Sequence, residues 1–331
     1  MGTDFVFASA FIKSRERKMI KEEQFHAMAE SSNLDEICSS IKNAGYGSEN
    51  LTFRPDTYQQ ILSDKKSDMF AEIKDMTKEL KELDILAYPS DYHNIKVLLK
   101  AEQLGVDRSD ILIDKGTVSP EAMIDAVRSR SGAYITEYMF SAIKESAEVL
   151  ARTKDPQLVD FICDKYCFLE VKKLASQSKN DFIKGYVRLN IDAVNLKTYI
   201  RVKALGQDKS YFDNLFIDGG NVSNVTYSKY FDADYATFAN AFNQADLRET
   251  ATIGRENLEK TGDYALFEKL CDDALMNYIK KAKEISFGAE TIFAYLVAKQ
   301  TEIKNIRILM AGKIAGVAPE KIAERIRKTY E

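Results

Sequence analysis

The chain has 331 residues, 45% of them hydrophobic, which is enough for two or three domains with buried cores. Its 51 acidic and 47 basic residues give a formal net charge of −4, which argues against general nucleic-acid binding because that function needs concentrated positive charge. Charged residues interrupt every apolar stretch before the roughly 18 residues that a membrane span needs, and the first residues do not resemble a signal peptide. We therefore expect a cytoplasmic protein without a bilayer span.

Apolar residues recur at three- and four-residue spacing along most of the chain, which is typical of amphipathic helices. Examples are the series from Ile61 through Ile73 to Leu83 and the series from Val149 to Leu169. No segment shows the sustained alternation of a β-strand. The prolines all fit at the boundaries of helices, at Pro55, Pro89, Pro120, Pro156 and Pro319. These patterns predict an all-α fold.

One polar pattern occurs three times along these helices. An acid stands three positions before an Asn, a cation two positions after it and a Gly eleven positions after it. Composition alone gives this combination at about 1 in 1,000 per Asn, so three copies indicate internal repetition. The copies are Asp91, Asn94, Lys96 and Gly105; Asp192, Asn195, Lys197 and Gly206; and Glu302, Asn305, Arg307 and Gly316. Their asparagines lie 101 and 110 residues apart, which predicts three related units of domain length.

Each copy fits the last turns of an amphipathic helix. The positions one, four and five residues after the Asn are apolar and predict a buried stripe beside it. The Gly stands where a left-handed residue commonly ends a helix. A partly buried Asn and acid should be hydrogen-bonded to each other or to the next helix, because unpaired buried polar groups cost about 1 to 3 kcal/mol each. Three copies favour a structural role, since an enzyme rarely repeats its catalytic group in every domain.

A second repeat follows the first two copies. Residues 113–119 and 217–223 both read Ile-Asp-x-Gly-x-Val-Ser, and Ser119 with Pro120 predicts the start of a helix. The third copy has no such segment after it, and a short basic helix is predicted there over residues 320–330. The predicted domains are therefore residues 1–118, 119–222 and 223–331.

Few residues offer catalytic or metal-binding chemistry. Glu23 and His26 form one Glu-x-x-His, but a di-iron bundle would need a second such pair. Cys163 and Cys167 stand four residues apart on a predicted helix, yet the chain has only two histidines to complete a metal site. We therefore predict no catalytic, cofactor or metal site and interpret these residues as parts of helix surfaces and cores.

The three Asn-containing stretches, residues 91–100, 192–203 and 302–317, together resemble the C subunit of archaeal and bacterial V/A-type ATPases, whose eukaryotic V-ATPase counterpart is the d subunit. The resemblance spans essentially the whole chain. It implies three similar helical domains in a funnel around a pseudo-threefold axis. It also implies a non-catalytic rotor subunit, one copy per complex, whose socket receives the central shaft and whose underside rests on the membrane rotor ring. Such a subunit lies at the cytoplasmic face of the membrane through its complex.

The third copy departs from the first two. Glu302 and Arg307 replace the Asp and Lys, and Ala311 stands where Lys100 and Arg201 predict a cation. We therefore do not expect the three domains to make equivalent outward contacts.

The sequence leaves two other functions open. The first is a helical scaffold with soluble partners only, although ordinary α-solenoid repeats of about 34 to 47 residues are much shorter than the intervals seen here. The second is an α-helical carboxylate or di-metal enzyme, which a metal assay of the purified protein would separate from the other two.

Overall fold

The computed structural model describes residues 5–48, 51–77, 80–233, 235–242 and 245–331, and within these ranges the ordered elements are helical, with no strand. The all-α prediction is therefore confirmed. The α-helices of these ranges are α1 (Val6–Glu16), α2 (Glu22–Glu30), α3 (Leu34–Asn43), α4 (Tyr58–Met76), α5 (Tyr88–Leu104), α6 (Pro120–Ser129), α7 (Glu137–Thr153), α8 (Pro156–Gln177), α9 (Asp181–Ala204), α10 (Lys209–Leu215), α11 (Asn224–Lys229), α12 (Tyr235–Ala239), α13 (Ala245–Glu249), α14 (Arg255–Thr261), α15 (Ala265–Ile279), α16 (Ala289–Ile314) and α17 (Pro319–Ala323). Short 3₁₀ segments cover Lys81–Leu86, Ser109–Ile111 and Lys280–Glu284, and a π turn covers Thr250–Gly254.

The chain divides into two compact units. Unit 1 combines Met1–Leu80 with Ala233–Glu331, and unit 2 is Lys81–Asp232. Unit 2 contains the first and second copies of the repeated pattern, and unit 1 contains the third. Each unit has its own set of buried side chains.

Unit 2 is organised around the long helices α5, α8 and α9. Helix α8 packs against α5, α7 and α9, and α5 also packs against α6 and α7. The residues before these helices fix where they begin, because their side-chain oxygens accept backbone N–H bonds of the first turn. These N-caps are Ser119 before α6, Thr136 before α7, Asp155 before α8 and Asn180 before α9. The predicted start at Ser119 and Pro120 is confirmed.

Unit 1 is organised around α16, a helix of 26 residues whose first half is buried almost all round. It packs against α1, α2, α4, α15 and α17. Its apolar residues Ile303, Ile306 and Met310 share one core with Phe25 and Ile37, which lie on α2 and α3. A helix that is apolar on most faces is stable only when neighbours cover it on most sides. The early helices of the chain supply part of that cover.

The three helices that carry the repeated Asn end in the same way. Gly105, Gly206 and Gly316 adopt φ values of 66°, 64° and 68° at the ends of α5, α9 and α16. In each case the residue after the Gly donates its N–H to a carbonyl five residues earlier, at 2.9 to 3.1 Å. This is the Schellman arrangement, in which a left-handed residue without a Cβ reverses the chain at little cost.

The helix predicted over residues 320–330 is present only at its start. Helix α17 ends at Ala323, and the chain is irregular from Ile326 onwards. The backbone of Arg327 and Lys328 bonds to the side chains of Asn305 and Asp273 instead of to a helical turn. Tertiary hydrogen bonds override helix propensity here. Among the described residues, no helix is both long and apolar enough to cross a membrane.

Candidate functional site

In the first copy of the pattern, the acid and the Asn both hold the chain that follows their helix. The Asn94 amide donates to the Ile113 carbonyl and accepts from the Ile113 N–H, both at 2.8 Å. The Asp91 carboxylate accepts the N–H and the hydroxyl of Thr117, each at 2.8 Å, and the Val118 N–H at 3.1 Å. Asp91 and Asn94 are both fully buried. Together they fix residues 113–118, the segment that leads into helix α6.

The second copy repeats this geometry closely. Asn195 donates to the Ile217 carbonyl at 2.8 Å and accepts from its N–H at 3.0 Å. Asp192 accepts the backbone N–H and side-chain amide of Asn221 at 2.9 and 2.8 Å, and the Val222 N–H at 3.0 Å. The side chain of Asn221 therefore replaces the threonine hydroxyl of the first copy. The segment that is held, residues 217–222, leads into helix α11.

The third copy keeps the Asn contact although no similar sequence follows it. Asn305 donates to the Arg327 carbonyl and accepts from its N–H, both at 2.9 Å. Asp273 of α15 accepts the next backbone N–H, that of Lys328, at 2.7 Å. Asn305 is fully buried, like its two counterparts. The geometry of the Asn contact is therefore retained where the sequence of the bound segment is not.

The acid of the third copy reaches a different part of the chain. Glu302 accepts the Ile20 N–H at 2.7 Å, and Ile20 precedes Lys21, the residue before α2. In the other copies the acid also holds the residue just before the N-cap of a helix. Glu302 further accepts the hydroxyl of Tyr46 at 2.5 Å and pairs with Lys299 on its own helix. All of these side chains are buried.

Two glycines make the first two sites possible. A Cβ built on Gly116 would lie 1.8 Å from Oδ1 of Asp91, and one built on Gly220 would lie 2.1 Å from Oδ1 of Asp192. No side chain fits at such a distance, so the close approach of backbone to carboxylate requires Gly at both positions. These glycines occupy the same place in the repeated Ile-Asp-x-Gly-x-Val-Ser segment.

Burial dominates the electrostatics of the two aspartates. Burial raises the pKa of Asp91, while hydrogen bonds from Thr117 and Val118 oppose that rise. Burial likewise raises the pKa of Asp192, against hydrogen bonds from Val222 and Asn221. These hydrogen bonds lower the free-energy cost of burying each carboxylate but do not cancel that cost.

The cations of the first and third copies bind side chains outside the clamped segments. Lys96 lies 2.5 Å from the Asp164 carboxylate on α8, and burial lowers the pKa of Lys96 while Asp164 raises it, with a net rise. Arg307 donates to the Gln59 amide oxygen at 3.1 Å. Lys197 is half-buried. In the first copy the cation therefore binds α8, whereas the acid and the Asn bind the segment that follows their helix.

The arrangement holds backbone in place and leaves little for chemistry. Both carboxylate oxygens and both amide heavy atoms of the first two copies are already bonded within the protein. We name each such arrangement a clamp, meaning the acid and the Asn of one copy together with the backbone that they bind. A clamp stabilises buried backbone that no helix satisfies.

The other candidates from the sequence lie apart from the clamps. Glu23 and His26 are exposed on α2. Cys163 and Cys167 are buried on α8, and the Cys163 sulfur lies 3.6 Å from the Ser146 hydroxyl. Within the described ranges, no three His, Cys, Asp or Glu side chains are grouped so that they could hold a metal ion.

Comparison with known proteins relates this architecture to a family. The family model described as ATP synthase (C/AC39) subunit matches residues 8–325. The chain belongs to this family. The match includes all three Asn helices and both repeated segments, so most of each clamp lies inside the C/AC39 region.

Relatives of this C/AC39 member are similar along almost their whole length. The C subunit of the V-type sodium ATPase of Enterococcus hirae is 25% identical over 321 residues, covering 97% of each chain. The C subunit of the V-type ATP synthase of Thermus thermophilus is 23% identical, covering 98% of this chain and 99% of the relative. The C subunit of the A-type ATP synthase of Methanocaldococcus jannaschii is 23% identical, covering 96% and 85%.

Several clamp residues of this C/AC39 chain are not predicted as partners by the sequence. The sequence repeat includes Gly116 and Gly220, but it does not indicate that they lie against the aspartates. The signal lies in the nearly constant spacing from each Asn to the following Ile, 19 and 22 residues. Ile20 and Tyr46 have no such signal, because they lie 282 and 256 residues from Glu302.

Replacing the clamp Asn by Ala should destabilise the protein in each copy. Asn94→Ala, Asn195→Ala and Asn305→Ala each leave an N–H and a C=O without partners, partly buried in the first copy and buried in the other two. We therefore expect a loss of about 1 to 3 kcal/mol in the free energy of unfolding. Urea denaturation followed by circular dichroism measures it. Asn43→Ala, at an exposed position of α3, is the control and should change little. Variants that unfold like the parent but no longer bind a partner would show that these residues face that partner.

Adding a methyl group at the clamp glycines should also destabilise the fold. Gly116→Ala and Gly220→Ala force the segment away from the carboxylate, and we expect a loss of about 1 to 3 kcal/mol in the same assay. Gly132→Ala is the matched control, because the nearest atom to its Cβ would be 3.4 Å away on the Phe140 ring. Equal stability of Gly116→Ala and Gly132→Ala would contradict the close approach.

The raised pKa of Asp91 predicts a pH dependence with a definite sign. Since the folded carboxyl holds its proton more tightly than the unfolded one, stability due to Asp91 falls as pH rises from about 3.9 through the folded pKa. The stability difference between the parent and Asp91→Asn should therefore shrink over that window and stay constant above it. Denaturant titrations at a series of pH values measure the difference.

Asp107 provides a control of opposite sign for this titration. Its pKa is lowered by hydrogen bonds from Ser109, so the difference between the parent and Asp107→Asn should grow as pH rises through the acid range. The same slope for both variants would argue against burial as the cause at Asp91.

Proposed function

We propose that the chain is a non-catalytic central-stalk subunit of a V/A-type ATPase or ATP synthase. In this role it is a socket that couples the central shaft to the membrane rotor ring during ATP-linked transport of protons or sodium ions. The observation that carries the proposal is the family match over residues 8–325, together with relatives named as the C subunit of such complexes over nearly their full length.

The site geometry supports a non-catalytic role. The acids and asparagines repeated along the chain are buried and bonded to backbone. A catalytic carboxylate needs access to its substrate, and these carboxylates have none. In the proposed complex, nucleotide chemistry and ion translocation therefore belong to other subunits.

We further propose three similar domains, residues 1–118, 119–222 and 223–331, around a pseudo-threefold axis in a funnel-like arrangement. The support is that each domain contains one Asn helix ended by a left-handed Gly and bonded through its Asn to a later backbone segment. Repeated units of this kind suit a torque adaptor, because the load is shared among several similar joints.

The clamps are suited to such mechanical work. Each one ties a long helix to the residues just before another helix, so a force on the first helix is passed directly to the start of the second. Buried, bidentate hydrogen bonds resist shear better than exposed ion pairs, which water and salt weaken. In the proposed role, the clamps keep the socket rigid while it turns.

The proposed location is the cytoplasmic face of the membrane, in one copy per complex. No helix of the described residues is long and apolar enough to span the bilayer, and the proposal places the chain at the membrane through contacts with the shaft and the ring. It predicts no cofactor and no nucleic-acid partner.

Co-purification from membranes tests the proposal. The chain, tagged at an exposed position, should be recovered from detergent-solubilised membranes together with shaft and ring subunits, at one copy per complex by quantitative mass spectrometry. Asn43→Ala should be recovered in the same amount, since that residue lies outside every clamp. Recovery of the tagged chain in the soluble fraction, with other partners and without ATPase subunits, would favour the scaffold alternative and overturn the proposal.

A further inference from the structure

The acids of the three copies bind residues of the same kind. Val118, Val222 and Ile20 are buried aliphatic residues. Each donates its backbone N–H to the acid of its copy, at 2.7 to 3.1 Å. Each is also the second residue before a helix, and these helices are α6, α11 and α2.

The backbone at the start of these three helices agrees as well. The N-cap residues have φ between −81° and −66° and ψ between 151° and 160°, and they are Ser119, Ser223 and Lys21. In contacts and in backbone conformation, α2 therefore corresponds in the third copy to α6 in the first and α11 in the second.

The long helices also hold the far ends of the three short helices, through the residue eight positions after each Asn. Lys203 donates to the Phe231 carbonyl just beyond α11, and Lys313 donates to two backbone carbonyls at the end of α2. Glu102 instead pairs at 2.8 Å with Arg130, the C-cap residue of α6. Both ends of each short helix are thus bonded to the Asn helix of its copy.

The segment bound by the third copy comes from two distant parts of the sequence. In the first two copies, five positions separate the residue bonded by the Asn from the aliphatic residue bonded by the acid. In the third copy the Asn bonds Arg327, but the acid bonds Ile20. Glu331, four positions after Arg327, reaches the first residue of α2, because its Oε1 accepts the Glu22 N–H at 2.6 Å. Residues 327–331 are therefore followed in space by the start of α2.

We infer that α2 completes the third repeat and that Glu331 caps α2 in place of the serine used in the other copies. Ser119 and Ser223 each accept, through Oγ, the N–H of the third residue of their helix, at 3.3 and 3.4 Å. Lys21 occupies the same position, and its ammonium group has no acceptor. Glu331 supplies a carboxylate to the first N–H instead, and negative charge is favourable at a helix N-terminus.

This assignment changes the composition of the third repeat. The proposed domain of residues 223–331 contains the Asn helix α16 but not the short helix that α16 holds at both ends. Residues 20–31 belong with it, in agreement with the compact unit that combines Met1–Leu80 with Ala233–Glu331. The inference rests on these contacts and does not depend on the proposed function.

Four full-length proteins test the cap: the parent, Glu331→Ala, Lys21→Ser and the double variant. Glu331→Ala should raise the equilibrium constant of unfolding about fivefold, as Ser119→Ala should, because each removes a helix cap. In the Lys21→Ser background the same change should raise it less than about twofold, since the new hydroxyl supplies an acceptor of its own. Urea denaturation measures the constants. No effect of Glu331→Ala in the parent, or an equal effect in both backgrounds, would overturn the inference.

Hydrogen exchange followed by mass spectrometry locates the effect. In Glu331→Ala, peptides covering the first turn of α2 should exchange about fivefold faster, and peptides covering residues 217–222 should not change. Glu30→Ala removes an exposed carboxylate at the other end of α2 and is the control, which should leave the first turn unchanged. Faster exchange spread equally over both regions in Glu331→Ala, or the same increase in Glu30→Ala, would contradict a cap formed by Glu331.

Discussion

The structure depends on how buried backbone outside the helices finds hydrogen-bond partners. A helix satisfies its own N–H and C=O groups, but a segment that connects two helices through the interior cannot, and each unpaired group there costs stability. In this chain an Asn side chain pairs with the segment's backbone, as a peptide group of an adjacent β-strand would do in a sheet. Its amide offers one donor and one acceptor in the spacing of a peptide group, so one residue satisfies both groups of Ile113, Ile217 or Arg327. No other uncharged side chain except Gln has this combination.

Comparison of the copies shows which features the geometry demands and which it tolerates. The Asn and its bidentate contact are the same in all three, whereas the acid is Asp twice and Glu once. The longer Glu accompanies a change of partner: Asp91 and Asp192 bind segments that follow closely, and Glu302 binds residues from a distant part of the chain. The extra polar group that supports the acid also differs, from the Thr117 hydroxyl to the Asn221 amide to the Tyr46 hydroxyl. In each copy the acid is therefore supported by one further polar side chain, although the type of that side chain differs.

Local features of the fold could be predicted from the sequence, and distant contacts could not. Helical periodicity and the start at Ser119 are properties of a few neighbouring residues, and the predictions made from them are confirmed. The stripe after each Asn is also buried as predicted, apart from the half-buried Leu98. The helix predicted over residues 320–330 ends early, at Ala323, because the backbone of Arg327 and Lys328 bonds to Asn305 and Asp273. These two side chains are near residues 327 and 328 only in the folded unit. The contact between Ile20 and Glu302 could not be predicted for the same reason, because the sequence around position 20 contains no pattern that indicates a contact with position 302.

Repeated polar residues can form a catalytic set or a structural one, and geometry distinguishes the two. A catalytic group must keep a lone pair or proton available for substrate, whereas both carboxylate oxygens of Asp91 and Asp192 already accept backbone hydrogen bonds. A glycine lies against each carboxylate and leaves no room for another atom. The raised pKa of each aspartate could suggest an active acid, but its main cause is burial and not a second charge placed beside a cleft. A carboxyl whose pKa is raised by burial, without access to solvent, indicates a role in the fold and not in catalysis. In the proposed rotor role, these bonded groups would keep the helices that they connect from moving independently.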